Sequence, residues 1–414
     1  MAIKQTTMKS NSLRSLAVLF AVALAATSCK EEFNGPEYNV GPAPAPVTQV
    51  VATPMPGGAD ITYSVPEDKD LLYVEADVAV PGGRTFNVKS SSYGNVIEIR
   101  GLASTDPQQV TLYSVNKGGA RSEGCPVTIT PLTPPYMDVY NSLKMKADFG
   151  GINISFANES NASLAIVLSC LDEKSNEYLE YDTYYTEESD GNYSFRGMEA
   201  ETRKFGLYIR DRWDNISPTV EAELTPLYEE QIDKSKFKAV TGIQGDGTGD
   251  GTYATDGQNQ PAFMWNGVWP TALTNYGDYK MFYIRSYDRQ TSFTLDMGQA
   301  VQLSRLRFNY YYKWTYMEPK EFEVYGCTEL TEDMYDGDWS KWTLLAHCTF
   351  DKPSGLGDNE FGPGDAQAFL AGTNIDADIQ LPKIRYIRVK GIECWDGGSS
   401  LCFSEITAWG DPRQ

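Results

Sequence analysis

Short runs of alternating apolar and polar residues recur in this chain, and they predict β-strands with one buried face. Two such runs present one apolar face each, formed by Ile61, Tyr63 and Val65 in the first and by Ile152, Ile154 and Phe156 in the second. Glycine, proline and tyrosine are plentiful, and the apolar runs are short. The pattern predicts an all-β protein with many turns.

Two segments about 95 residues apart repeat the same pattern. The stretches "VTLYSVNKGGARSEGCPVTITPL" (110–132) and "FGLYIRDRWDNISPTVEAELTPL" (205–227) align at an offset of 95, and "GGADITYS" (57–64) matches "GGINISFA" (150–157) at an offset of 93. The aligned pairs include Leu112 with Leu207, Ser122 with Ser217, and Thr130 with Thr225. A repeat of this length indicates two copies of one domain.

Each copy has about 90 residues and roughly seven strand-like runs, which describes a small β-sandwich. The two copies, residues 47–132 and 133–228, resemble fibronectin type III-like modules. The resemblance places "NKGGARSE" and "RDRWDNIS" in the hairpin before the last strand of each module. Trp213 is therefore expected to pack against a turn, since rings in small sandwiches mostly serve packing.

The first 28 residues have the layout of a secretory signal. Three basic residues precede an apolar segment (16–26) that is too short to span a bilayer, and Cys29 follows small residues. This ending resembles the lipobox of bacterial lipoproteins, with Ala26 where leucine is usual. The resemblance implies that Cys29 is lipidated and that acyl chains anchor the protein in a membrane. The alternative is a plain secretory signal with an incidental cysteine.

Lys30, Glu31 and Glu32 follow Cys29 directly and resemble the surface-export signal of Bacteroidota lipoproteins. The resemblance predicts an outer-membrane protein that faces the cell exterior. The alternative is a charged, solvated tether. Residues 35–46, "GPEYNVGPAPAP", form a proline-rich stretch that is expected to be extended and semi-rigid. Residues 29–46 are therefore assigned to a lipidated stalk.

The net charge disfavours one class of partner. Residues 1–28 carry three basic and no acidic side chains, so the rest of the chain has 32 basic and 56 acidic residues, a formal charge of −24. A surface this acidic repels phosphate backbones, so nucleic acid is not expected as a partner.

A zinc site of the usual cysteine and histidine type is not expected. His347 is the single histidine, and no two cysteines are spaced as a CxxC pair.

Beyond residue 229 the sequence changes character, and aromatic residues become dense. Four blocks resemble, in order, strands of the coagulation-factor type C, or discoidin-like, domain: "TSFTLDMGQAVQLSRLRFNYYY" (291–312), "KEFEVYGCTE" (320–329), "DGDWSKWTLLAH" (336–347) and "IRYIRVKGIECWDGGSSLCFSEITAWG" (384–410). The resemblance implies that residues 229–414 form a jelly-roll β-sandwich that binds glycans or membranes through loops at one end. Alternation in the last block places Tyr386, Arg388 and Lys390 on one face of a half-buried strand.

Many members of that family hold a structural Ca²⁺ between an early "DG" loop and a glutamate in the last strand. The matching residues here are Asp256 and Glu405. Backbone carbonyls would have to supply the remaining ligands, since Ca²⁺ binds roughly six to eight oxygens. The alternative is an acidic loop and a glutamate that make ordinary hydrogen bonds. Asp246 begins a stretch that imitates an EF-hand loop, but Gly257 stands where that loop needs glutamate.

Sugar recognition on such a scaffold needs exposed flat rings beside polar groups, because pyranose faces stack on aromatic side chains. The alternative for each ring is packing in the core. Phe322, Val324 and Tyr325 lie in a predicted strand and are assigned to the core. The loop-placed candidates for ligand contact are Trp265, Trp269, Trp314, Tyr316, Trp395 and Asp396.

Four of the six cysteines after Cys29 lie in the last ninety residues. Cys394 and Cys402 bracket a turn, and Cys327 and Cys348 fall in neighbouring strands of the family that the terminal segment resembles. This arrangement predicts two cross-strand disulfides, 394–402 and 327–348. Whether each one forms depends on the distance between its two cysteines in the fold. The remaining two, Cys125 and Cys170, lie in different sandwiches and are expected to be unpaired.

No catalytic constellation is recognisable, and an enzyme is not expected. His347 lies in a predicted strand with no nucleophile elbow near it. The layout predicts a cell-surface lipoprotein that binds carbohydrate through its terminal domain. The resemblance implies that it serves with an outer-membrane transporter and a substrate-binding lipoprotein in glycan uptake. The alternative is a surface adhesion or scaffold protein that binds other proteins.

Overall fold

The computed structural model describes residues 41–80, 84–247, 259–272, 280–286, 289–311, 316–357 and 360–413. Strands make up most of the regular structure in these ranges. The described residues divide into two compact units, one ending at Pro135 and the other beginning at Tyr136. No helix among them is both long enough and apolar enough to cross a lipid bilayer.

The first unit contains a β-sandwich of seven strands. One sheet has the order β1-β2-β5 and the other the order β4-β3-β6-β7. Alternate residues of both sheets, among them Ile61, Val74 and Leu112, are buried between them. The strands are β1 (Thr48–Met55), β2 (Gly58–Ser64), β3 (Leu71–Val80), β4 (Arg84–Ser91), β5 (Val96–Ile99), β6 (Gln108–Asn116) and β7 (Cys125–Ile129).

The second unit begins with a sandwich of the same topology. Its sheets have the orders β12-β9-β8 and β11-β10-β13-β14, which match the first sandwich strand for strand. Tyr136 and Val139 of a short helix add to its core. The elements are α1 (Pro135–Ser142), β8 (Lys144–Asp148), β9 (Gly151–Ala157), β10 (Leu164–Asp172), β11 (Glu177–Thr186), β12 (Asp190–Phe195), β13 (Arg203–Asp211) and β14 (Val220–Leu224).

The repeated glycine pair has a steric cause. Gly57 and Gly150 both have a φ of +59°, the left-handed region that favours glycine. The next residue in each copy, Gly58 or Gly151, packs so closely against the neighbouring strand that no side chain fits. A Cβ atom added to Gly58 would lie 1.8 Å from the Ile99 carbonyl oxygen, and one added to Gly151 would lie 1.7 Å from the Phe195 carbonyl oxygen. The "GG" at the start of each repeat therefore marks a tight turn followed by close backbone packing.

The repeated serine also has a defined role. The Ser122 hydroxyl accepts a hydrogen bond from the Ser114 amide at 3.0 Å, and the Ser217 hydroxyl accepts one from the Ile209 amide at 2.9 Å. Both hydroxyls lie where the hairpin before the last strand rejoins the sheet. Trp213 lies in the second of these turns, where Arg212 stacks on its ring at 4.3 Å.

The rest of the second unit, here called the terminal domain, is a larger two-sheet structure. Most of its strands join one continuous eight-stranded network, and β17 pairs separately with β23. Its elements are β15 (Glu230–Gln231), β16 (Lys238–Val240), β17 (Phe282–Ile284), β18 (Ser292–Asn309), β19 (Pro319–Cys327), β20 (Thr343–Thr349), α2 (Asp365–Ala371), β21 (Thr373–Asp376), β22 (Ile384–Cys394), β23 (Leu401–Phe403) and β24 (Glu405–Asp411).

Strand β18 joins the two layers of the terminal domain. Its first half pairs with β22 and its second half pairs with β24, with a register shift between them. The layers enclose a core rich in phenylalanine, in which Phe308 lies 5.4 Å from Phe322 and 5.0 Å from Phe403 between ring centroids. The prediction of an all-β chain, with two small sandwiches of one topology followed by a larger two-layered β-domain, is confirmed.

The three predicted core residues of β19 lie on two faces of the strand, and Tyr325 is half-buried against a smaller hydrophobic cluster of Ile243, Met334 and Trp342. Phe322 and Val324 are fully buried, as predicted, but Tyr325 points to the opposite face of β19. There its ring lies 4.8 Å from the ring of Trp339, between centroids. Side chains alternate along a strand, so three residues at positions 322, 324 and 325 cannot share one face.

The second sandwich is joined to the terminal domain through a network of charged side chains. Arg196 donates hydrogen bonds to Glu229 at 3.4 Å, to Ser304 at 3.2 Å and to Asp376 at 2.9 Å. Glu229 also accepts from Arg305 at 3.2 Å. Because Glu229 is largely buried, these contacts fix the point where the chain leaves the sandwich.

Candidate functional site

Three loops meet at one end of the terminal domain. Ile284, the last residue of β17, lies opposite Leu401 of β23, and Pro319, the first residue of β19, lies opposite Cys394 at the end of β22. The residues just after β17, just before β19 and just after β22 are therefore neighbours. Two of the residues predicted to contact a ligand, Tyr316 and Asp396, lie in these loops.

The three loops bring together Arg285, Tyr316 and Asp396, here called the loop cluster. The Arg285 guanidinium carbon lies 5.6 Å from the centroid of the Tyr316 ring, and Nη2 of Arg285 lies 3.5 Å from Oδ2 of Asp396. Tyr316 is 36% exposed. The cluster thus presents a flat ring and a cation on one surface, with the largely buried Asp396 carboxylate beside them.

The Asp396 carboxylate is held in position by hydrogen bonds from residues of its own turn. Its Oδ1 atom accepts a hydrogen bond from the Cys394 thiol at 2.9 Å and a longer one from the Gly398 amide at 3.4 Å. The Oδ2 atom faces Arg285. The carboxylate is thereby fixed by its own turn, which orients the guanidinium beside the tyrosine ring.

Two of the six candidates for ligand contact, Tyr316 and Asp396, belong to the loop cluster. Arg285 was not predicted, because only the pairing of β17 with β23 brings it to this end of the domain. Trp314 lies outside the described residues, as do Asp256 and Cys29.

Trp395 is not exposed, which corrects its prediction as a ligand-contacting ring. It is 5% exposed and belongs to the main core cluster of the terminal domain. The Lys352 ammonium lies 3.9 Å from the ring centroid and covers it. Lys352 is itself buried and donates to the carbonyls of Gly357 and Glu360, so it binds the adjacent loop to the ring.

Trp265 and Trp269 form a separate group, whose contacts are with the connector residues Phe237 and Lys234. Trp265 packs edge-on against Phe237, with 6.4 Å between ring centroids, and Trp269 lies 5.7 Å from the Lys234 ammonium. Both indoles are half-buried. Two open depressions of about 480 Å³ each are lined by Trp265 together with Phe237 and Ala262.

Glu405 does not fit the role of a calcium ligand. It is fully buried, and its carboxylate contacts the Lys234 ammonium. The Gly267 amide donates to both carboxylate oxygens, at 3.1 and 3.2 Å. Burial raises the pKa of the Glu405 carboxyl, and the Lys234 charge opposes this shift. A divalent ion at these oxygens would lie beside an ammonium, which is electrostatically unfavourable.

The predicted disulfides are not formed, because all six cysteines in the described part of the chain are free thiols. Cys348 lies opposite Phe322, which places Cys327 five residues further along β19. At about 3.3 Å per residue the separation is roughly 16 Å, whereas a disulfide needs Cα atoms within about 7 Å.

Cys394 and Cys402 pair with different strands. Cys394 lies opposite Pro319 on β19, whereas Cys402 lies opposite Tyr283 on β17. The Cys394 thiol donates to Asp396, and the Cys402 thiol lies beside Glu318. The sequence spacing suggested a hairpin across the turn, but the two flanking segments enter separate sheets.

Glu318 is a buried carboxyl beneath the loop cluster. Its polar neighbours include the Cys402 thiol and the Tyr311 backbone, and burial raises its pKa well above the usual value. The folded state therefore keeps a proton that the unfolded state releases near the ordinary glutamate pKa. The stabilising contribution is full below that ordinary pKa and falls by about 1.4 kcal/mol per pH unit as pH rises towards the raised pKa.

We expect Glu318→Gln to remove this pH dependence, because the amide stays neutral. The melting temperature of the variant minus that of the wild type should grow as pH rises from about 5 to about 8. Thermal unfolding across this range measures it, with exposed Glu329→Gln as the matched control. Parallel curves for wild type and Glu318→Gln would show that the buried carboxyl does not limit stability.

His347 lies in strand β20, as predicted. Its Nε2 atom is 3.0 Å from Glu321 and its Nδ1 atom is 3.4 Å from Glu323. Both carboxylates belong to the adjacent strand β19. The contacts are those of cross-strand neighbours on a sheet surface.

Comparison with known proteins found three matching family models, each described as a domain of unknown function. They cover residues 44–131 (DUF4959), 132–235 (DUF5126) and 269–410 (DUF5000). The search of curated proteins found no match.

Solved structures with similarity to this chain include a "SusE-like protein", which is 27% identical with a TM-score of 0.41 and aligns over 68% of this chain and 100% of its own. The family 32 carbohydrate-binding module of C. perfringens NanJ, solved in complex with galactose, is 14% identical with a TM-score of 0.29, over 44% and 98% of the two chains. A two-domain fibronectin type III segment of chicken tenascin is 10% identical with a TM-score of 0.22, over 44% and 99%.

Proposed function

We propose that this chain is a non-catalytic, lipid-anchored protein of the cell surface that binds carbohydrate through the loop cluster of its terminal domain. The observation that carries the proposal is the half-exposed Tyr316 ring flanked by Arg285 and Asp396 at the loop end. An aromatic face with charged hydrogen-bonding groups beside it is the combination that recognises a pyranose, since the ring covers the apolar sugar face.

The polar members of the loop cluster suit sugar hydroxyls. Arg285 supplies N–H donors in a planar fork, and Asp396 supplies acceptor oxygens. A hydroxyl group both donates and accepts, so a sugar can bond to both side chains at once. The strongly acidic chain disfavours anionic glycans, because they would be repelled on approach. The proposed ligand is therefore a neutral saccharide.

The N-terminal residues support a location on the cell surface. Cys29 would carry the lipid, and the charged and proline-rich residues up to 46 would hold the folded part away from the membrane. In this arrangement the protein faces the exterior from the outer membrane. It would deliver glycan to an outer-membrane transporter and its substrate-binding lipoprotein.

The second candidate is a scaffold protein that binds other proteins. The observation in its favour is strand β11 at the edge of the second sandwich, where Leu179, Tyr181 and Tyr185 are exposed. Edge strands with exposed apolar side chains are typical sites of protein pairing. Under this candidate the loop cluster would contribute nothing to binding.

A polysaccharide array with the soluble chain from residue 30 onward tests the proposal. We expect Arg285→Ala to weaken glycan binding about 10- to 100-fold, because hydrogen bonds to charged groups contribute about 1.5–3 kcal/mol. Tyr316→Ala should weaken it by at least about 10-fold, because the apolar sugar face loses the ring that covers it. Tyr335→Ala removes an equally exposed tyrosine elsewhere in the terminal domain and should leave binding unchanged.

Two outcomes would contradict the proposal. One is a folded chain that binds no glycan on the array. The other is glycan binding that neither loop-cluster variant weakens. Either result would favour the scaffold candidate, which exchange of Tyr181 and Tyr185 for alanine would then test against protein partners.

A further inference from the structure

Lys234 lies in the segment that connects the second sandwich to the terminal domain. It begins a short 3-10 helix, Lys234–Lys236, whose first amide groups are capped by Asp233. The Ile232 amide just before it donates to the Ala408 carbonyl at 2.9 Å. These backbone contacts aim the lysine side chain at the last strand, β24.

The Lys234 ammonium reaches a fully buried carboxylate. It contacts Glu405 and donates to the Thr407 hydroxyl at 2.6 Å. The lysine side chain is itself only 12% exposed. Glu405 is the residue to which family resemblance assigned a calcium ion, so an internal positive charge occupies the place of the expected cation.

The Glu405 carboxylate also accepts hydrogen bonds on the side opposite Lys234. The Gly267 amide donates to both carboxylate oxygens, and the Trp269 ring lies 5.7 Å from the ammonium. A ring face near an ammonium stabilises the charge. The loop 266–269 is thereby tied to the buried carboxylate from one side, and the connector is tied to it from the other.

We propose that Lys234 is an internal cation that takes the place of a divalent ion at Glu405 and fastens the connector, strand β24 and the loop 266–269 together. Two consequences follow. The stability of the domain does not depend on calcium at Glu405, and it does depend on the lysine. This inference concerns the architecture alone and holds whether or not the loop cluster binds sugar.

Thermal unfolding of the soluble full chain, with calcium chloride or with chelator, tests the proposal. We expect the wild-type melting temperature to be the same in both conditions. Lys234→Met should lower it by on the order of 10 °C, because it leaves a buried carboxylate without its partner. The control is Lys236→Met, two residues away. Its exposed ammonium donates a hydrogen bond to Gln299 on β18 at 2.8 Å, so this variant should leave the melting temperature nearly unchanged.

The double variant Lys234→Met with Glu405→Gln should regain part of the loss, because both charges are then absent. The proposal would be overturned by a calcium-induced rise in the wild-type melting temperature that Glu405→Gln abolishes. It would also be overturned if Lys234→Met melted at the same temperature as Lys236→Met. The wild-type comparison decides the calcium question even if the lysine variant does not fold.

Discussion

Replacing Arg388 with methionine should lower the free energy of unfolding of the terminal domain by about 3–5 kcal/mol, the usual cost of breaking a buried ion pair by removing one partner. Arg388 is 1% exposed although it points to the outer face of β22. Its Nη2 atom lies 3.0 Å from Oδ1 of Asp246, which is fully buried. The variant leaves that carboxylate without its cation.

The surroundings of the pair explain why water cannot replace the arginine. The Asp246 carboxylate also accepts hydrogen bonds from Ser292 at 2.6 Å and from Thr294. The Trp339 ring covers the guanidinium at 3.8 Å. Asp246, which imitates the start of an EF-hand loop in the sequence, therefore uses its oxygens in a structural ion pair.

Urea unfolding followed by tryptophan fluorescence measures the effect, because all tryptophans except Trp213 lie beyond residue 229. The matched control is Arg385→Met on the same strand. Arg385 pairs with Asp296 at 2.8 Å but is 38% exposed, so its loss should cost no more than about 1 kcal/mol. Equal decreases in the free energy of unfolding for the two variants would show that the buried ion pair stabilises the domain no more than the exposed one.

Trp395→Ala should destabilise the terminal domain by about 3–5 kcal/mol, as expected for truncation of a buried tryptophan. The indole fills the core, and the Lys352 ammonium packs on its face at 3.9 Å. Removing the ring would leave a cavity and would also free the loop whose carbonyls Lys352 binds.

The same unfolding measurement tests this prediction, with Trp395→Phe as the conservative variant that should retain much of the stability. Any loss of glycan binding in Trp395→Ala should therefore accompany a loss of stability. A Trp395→Ala protein as stable as the wild type but unable to bind glycan would restore the original interpretation of this ring as a ligand contact.

The sequence was sufficient for the parts of the fold that depend on local pattern. Alternation of apolar residues predicted the strands, and the 95-residue repeat predicted two copies of one sandwich. The tight turns at Gly57 and Gly150 became evident only from their backbone angles. Alternation arises from strand geometry within a few residues, and the repeat is found by aligning the chain with itself. They remain visible without knowledge of which strands pair.

The sequence was insufficient where long-range pairing decides. Cys394 and Cys402 are eight positions apart, which suggested a disulfide, but they belong to different sheets and both are free thiols. Trp395 follows a strand directly, and only the packing of Lys352 shows that its ring is covered. Arg285 joins the loop cluster because β17 pairs with β23, which no local pattern indicates.

Glu405 illustrates a second limit. A glutamate in "CFSEITAWG" matches a family position for calcium, but the partner that changes its role, Lys234, lies 171 positions earlier. A single lysine in a polar connector has no distinguishing pattern. Its function arises only because the connector runs beside the last strand.

The measurement that tests the central claim most directly is the affinity of Tyr316→Ala and of Tyr335→Ala for the glycan selected on the array, by isothermal titration calorimetry. We predict at least about a 10-fold weaker affinity for Tyr316→Ala and a wild-type affinity for Tyr335→Ala, with unchanged melting temperatures for both. Equal affinities for the two variants would contradict a sugar site at the loop cluster.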